Sequence, residues 1–167
     1  DGARVFRYSE GENYFYRADS GDTLIYESLH KSPIIGLKCI PEKKLVISYS
    51  KNPGLKIWNY QGDYLATLYL SGQASFAYFG DKYYFVSKEL MEKIGFQFNG
   101  QLYSYEQFDP YLNRPDKILE KIQIADPLII KLYEEAYLKR LALLNIQSDK
   151  FELHSSKPYI EVIPMEY

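Results

Sequence analysis

Few residues in this chain have the types and spacing that chemistry requires. A cysteine nucleophile needs a neighbour that lowers its pKa. The single cysteine, Cys39, has no nearby base, and it alternates with Ile35 and Leu37, the pattern of a buried core thiol on one strand face. His30 and His154 are the only histidines and stand far apart; a zinc site would also need Cys or carboxylate partners. No metal site is predicted. Asp19-Ser20-Gly21-Asp22 carries part of a calcium loop without the closing Glu and reads as a turn. The polar cluster with most chemical content is Asp109, Asn113, Arg114 and Asp116. There the Arg114 guanidinium suits an acidic partner or a phosphate. Its structural alternative is pairing with Asp109 or Glu106, locking a helix against the last strands. No phosphate-cradling loop, nucleophile elbow or paired-carboxylate motif is present. The expectation is a protein without enzymatic activity and without a cofactor.

The elements around these residues are mostly short and β-rich. Between His30 and Leu70, turn residues separate Ile34–Ile40, Leu45–Ser50, Leu55–Tyr60 and Tyr64–Leu70, the punctuation of one four-stranded antiparallel sheet. Before it, Ala3–Tyr8, Asn13–Ala18 and Thr23–Leu29 read as three strands. After it, Ala74–Phe79 and Tyr83–Ser87 flank a Gly80-Asp81-Lys82 turn. Lys88–Ile94 reads as a helical turn, and Gly95–Asn99 pairs with Gln101–Phe108 around Asn99-Gly100. From Asp109 the period becomes helical. Asn113 or Arg114 caps a short helix through Ile122, with Asp116 in its first turn. Asp126-Pro127 starts a longer helix that runs to about Leu144. Ile130, Tyr133, Tyr137, Leu141 and Leu144 form its predicted buried stripe. Tyr159–Ile163 is a candidate last strand.

The segment around Ile57-Trp58-Asn59 resembles a WD repeat, the blade of a β-propeller. Trp58-Asn59 stands where the family has Trp-Asp, Asn52 in the turn-Asp position, and His30 in place of the His of Gly-His, with Leu29 where the Gly would be. The resemblance implies a structural network of His30, Ser48 or Ser50, Asn52 and Trp58. Residues 83–144 are similar to a segment of bacterial multidomain proteins that follows WD-type repeats and often neighbours a caspase-like peptidase domain. Its most recognisable part is Gln107–Asp116. The fold expected is therefore mainly β with C-terminal helices. Two to three antiparallel, propeller-like blades would occupy residues 1–108, a helical segment 109–146, and a tail 147–167. The function these resemblances imply is a protein–protein interaction or scaffold module of a larger WD-repeat protein. The alternative is an accessory or regulatory region of a caspase-like peptidase.

Composition sets further bounds. The 167 residues are 25% charged and 46% hydrophobic, as in a globular chain rather than a disordered one. The net charge of -2 gives no reason to expect nucleic acid. No apolar run reaches the length of a membrane span, and no signal peptide is evident. Aromatic residues make up 17%, with 18 Tyr, which suits half-buried strands and interaction surfaces. The chain opens in mid-strand pattern, so a fragment of a longer protein is expected. The partner is expected to be another protein or an adjoining domain. With open sheet edges, the isolated fragment is expected to form a homodimer. Trp58→Ala is expected to cost about 3–5 kcal/mol, and Arg114→Ala, if exposed, about 1 kcal/mol.

Overall fold

The structure is a computed structural model that describes residues 5–18, 23–79, 83–91, 93–98 and 100–146. Expectations for residues 19–22 and 80–82, Asn99, His154, Tyr159–Ile163 and the 147–167 tail lie outside the described residues. The chain is mainly antiparallel β with C-terminal helices, and it divides into two compact units, Asp1–Tyr69 and Leu70–Tyr167.

In the first unit, β1 (Val5–Tyr8), β2 (Tyr14–Ala18) and β3 (Thr23–Glu27) pair antiparallel in sequence order. β4 (Ile34–Ile40), β5 (Leu45–Ser50), β6 (Leu55–Asn59) and β7 (Tyr64–Ser71) do the same. Burial runs over neighbouring residues on β5–β7 (Leu45 and Val46, Ile57 and Trp58, Leu65 to Thr67), and Phe15, Ile34, Val46 and Trp58 from both sets form one apolar cluster. Tyr8 Oη donates to the Ile35 carbonyl at 2.9 Å, and Arg17 donates to the Tyr60 carbonyl at 2.6 Å, fastening one set of strands to the other. The β6–β7 turn is built by Asn59, whose Oδ1 accepts from the Gln61 and Asp63 amides at 2.9 and 2.8 Å. Gly62, at φ +90°, completes it, and the Tyr26 ring lies where a Cβ would stand, 1.9 Å away.

Three local expectations need correction here. A β-bulge between Ile34 and Gly36 shifts the register of β4. Ile35 therefore turns outward, 43% exposed, while Leu37 and Cys39 face the core cluster from its margin. Cys39 is half-buried rather than a core thiol, and burial pushes its pKa up. Third, the strand from Thr23 stops at Glu27, because Leu29 takes a left-handed φ of 55° that no strand accommodates.

In the second unit, β8 (Ala74–Phe79) and β9 (Tyr83–Val86) form an antiparallel pair. β10 (Gly95–Phe98) and β11 (Gln101–Ser104) form a separate two-stranded sheet. The helical turn α1 (Lys88–Met91) interrupts between them, so residues 74–108 do not form one blade-like sheet. The strand predicted to reach Phe108 ends at Ser104, where Tyr105–Gln107 coil into a 3₁₀ turn. Three helices follow: α2 (Asp109–Leu112), α3 (Pro115–Ile122) and α4 (Pro127–Leu143). Asp126 caps α4 by accepting from the Leu128 amide at 2.8 Å. Arg114 occupies the cap position of α3, but its side chain caps nothing and is engaged elsewhere.

The stripe predicted for α4 is only partly buried. Tyr137 and Leu141 pack inward, while Tyr133 and Leu144 remain 38% and 51% exposed. The reason is length. α3, against which α4 packs, has 8 residues to the 17 of α4, roughly 12 Å against 25 Å. The shorter helix covers only part of the longer one.

Candidate functional site

Two buried polar groups account for most of the residues singled out by sequence. The first lies in the first unit. Ser48 on β5 is fully buried, and its Oγ accepts from Trp58 Nε1 at 2.9 Å. The same Oγ pairs with His30 Nε2 at 2.9 Å. One hydroxyl thus joins the segment before β4 to β5 and β6. The Trp58 ring, 2% exposed, meets Phe15 edge-on at 5.1 Å and Tyr64 at 5.5 Å. Burial, then the nearby Lys56 ammonium, lowers the pKa of His30 to about 4. The imidazole is therefore neutral at pH 7 and serves as a hydrogen-bonding group. Lys56 is itself half-buried, and its Nζ donates to Thr67 Oγ1 at 3.0 Å.

Of the five residues named for this network, the structure joins His30, Ser48 and Trp58. Ser50, the last residue of β5, pairs with Asn52 in the turn that follows, where the Asn52 amide donates to Ser50 Oγ at 3.2 Å.

The second group lies in the second unit around Asp109. Its Oδ1 accepts from Tyr84 Oη at 2.8 Å and from Asn113 Nδ2 at 2.9 Å, and its Oδ2 lies 3.5 Å from Arg140 Nη1. Arg140 also donates to the Asn113 carbonyl at 2.7 Å. Arg114 does not pair with Asp109 or Glu106. It grips Asp116, two residues on, with Nε at 2.9 Å and Nη2 at 2.5 Å from the carboxylate oxygens. The guanidinium lies 3.8 Å from the centre of the Tyr137 ring on α4. The expectation of an exposed Arg114 is therefore corrected: its side chain is 12% exposed and that of Asp116 2%. Asp116 serves a buried ion pair. Burial, then the Asp109 carboxylate, pushes the Tyr84 phenol far above its ordinary range.

Sequence reasoning missed the part that Tyr84, Tyr137 and Arg140 play here. They stand 25, 23 and 31 residues from their partners Asp109, Arg114 and Asp109, distances over which no short motif operates; only the pairing of strand and helix brings them in. Among the described residues, no group of three or more His, Cys, Asp or Glu side chains is placed to hold a metal ion. Among the same residues, no helix is long and apolar enough to cross a membrane.

The fold and these two sites together define a mainly antiparallel β chain with C-terminal helices, whose polar residues hold elements together. Compared with known proteins, the chain matches no family model, no curated protein and no solved structure.

Proposed function

We propose that this chain is a non-enzymatic interaction module, with β4–β7 as a WD-type blade of a larger assembly. The observation that carries the reading is the His30–Ser48–Trp58 chain within the successive antiparallel strands β4–β7, which belong to a sheet of six strands. A titratable histidine, a hydroxyl and the single tryptophan are all committed to holding strands together. The exposed apolar pair Ile35 and Tyr49, on neighbouring strands β4 and β5, offers a surface for a protein partner.

The test is in-cell photo-crosslinking of the tagged chain, followed by rebinding of the purified partner. The reading expects saturable binding that Ile35→Asp weakens at least about tenfold, the scale of losing one well-packed contact. Recovery of a caspase-like peptidase whose turnover changes on binding would favour the accessory-region alternative. Turnover of ester or peptide substrates by the isolated chain would defeat both.

A further inference from the structure

Helix α4 carries an apolar face that the described residues of its unit leave exposed. Leu128, Ile129, Leu132 and Leu143 are 63%, 43%, 52% and 83% exposed. At 100° per residue they share one side with Ala136, roughly a third to nearly half a turn away from the buried Tyr137 and Leu141. A monomer seldom leaves so continuous an apolar stripe open to water.

We propose that a second copy of this chain packs antiparallel against this face, with Ala136 meeting Ala136 of the other copy at the two-fold axis. The ends of α4 are matched about that residue, while four positions away Leu132 stands opposite Arg140 of the other copy, whose guanidinium is turned to Asp109 and leaves its aliphatic stem to the contact. Seven positions away on either side stand Ile129 and Leu143, and eight away stand Leu128 and Leu144. An antiparallel pair therefore sets each apolar end of one helix on the opposite apolar end of the other, as a self-complementary two-fold interface requires. Three positions away stand Tyr133 and Lys139, so each ammonium meets the other copy's aromatic ring. The small Ala136 permits close approach at the crossing. The face offers on the order of 500 Å² per chain, below the ~800 Å² of a standard interface, so association in the micromolar range is expected. This inference goes beyond the interaction-module reading and does not rest on it, since every residue it uses lies on α4 or at its C-cap.

Sedimentation of the full chain from about 1 to about 500 µM spans that affinity range. The mass should rise from 19.6 kDa toward twice that value. Ile129→Glu with Leu143→Glu, which sets carboxylate against carboxylate, should shift the midpoint upward by tenfold or more, while Leu102→Glu on β11, 79% exposed, should leave it unchanged. In a Cys39→Ser background, Ala136→Cys should form a disulfide-linked dimer under mild oxidation, and Leu138→Cys should not. A monomer at the highest concentration, a dimer indifferent to the double substitution, or crosslinking through position 138 in preference to 136 would each overturn the proposal.

Discussion

Replacing Ser48 by Ala removes one oxygen and creates almost no cavity, yet it should be among the most damaging conservative changes in the first unit. The Ser48 hydroxyl is the shared partner of Trp58 Nε1 and His30 Nε2, each at 2.9 Å. Both partner residues are buried, Trp58 at 2% and His30 at 9% exposure, so water cannot replace the lost oxygen without rearrangement. Each orphaned group costs about 1–3 kcal/mol, and the pair together about 2–5 kcal/mol. With a urea dependence of about 1–3 kcal/mol per molar, the midpoint should fall by roughly 1–2 M. Ser50→Ala, two residues along at the end of β5, should stay within about 0.5 kcal/mol of the parent. The fluorescence of the single tryptophan, Trp58, reports this unit directly, which matters because two units need not unfold together. In a His30→Phe background the Ser48→Ala penalty should shrink, because one of the two orphaned partners is already gone. Equal urea midpoints for Ser48→Ala and Ser50→Ala, at unchanged slope, would refute the claim that this hydroxyl ties the strands.

His30 also sets a pH dependence. It titrates near 6.5 in an unfolded chain and near 4 in the fold, so in between the unfolded state binds a proton that the folded state excludes. Stability should be insensitive to this group above pH 6.5 and should fall as pH drops toward 4, by on the order of 3 kcal/mol. His30→Gln should flatten that part of a urea-midpoint profile; an unchanged slope would assign it to other groups. Arg114→Ala should cost about 3–5 kcal/mol, comparable to Trp58→Ala, because it strands the Asp116 carboxylate in the interior. Pairing it with Asp116→Asn should recover part of the loss, whereas additive losses in thermal denaturation would show that the ion pair is not the cause.

The strand succession from Ile34 to Ser71 was legible because turn residues sit between runs of the right length, and because each strand pairs with its sequence neighbour. The start of α4 was legible for a local reason as well: an Asp cap followed by proline. The choice between Ser48 and Ser50 was not legible. Both lie on the same side of β5, and only the register that sets Ser48 against Lys56 and Leu37 selects the inner one. Ile35 misled because a bulge breaks the two-residue period without leaving a signature in composition. Around Asp109 the sequence pointed to Asp109, Asn113, Arg114 and Asp116 but paired them wrongly. Arg140 was not singled out, because its carboxylate partner lies on a different helix.

The knot around Asp109 bears on where this chain can be cut. Its members come from β9, α2, the head of α3 and the C-terminal half of α4, so one set of bonds closes a loop from Tyr84 to Arg140. α2 and α3, 4 and 8 residues long, are too short to hold as isolated helices. A shortened clone ending before Arg140 would remove the cation facing Asp109, and one ending before Tyr137 would also strip the ring from Arg114. A clone beginning after Tyr84 would leave the Asp109 carboxylate without its phenol. The smallest separable piece of the second unit therefore runs from β8 through the end of α4, and residues 109–146 alone should behave as an unfolded peptide, with helical circular dichroism confined to what α4 retains by itself.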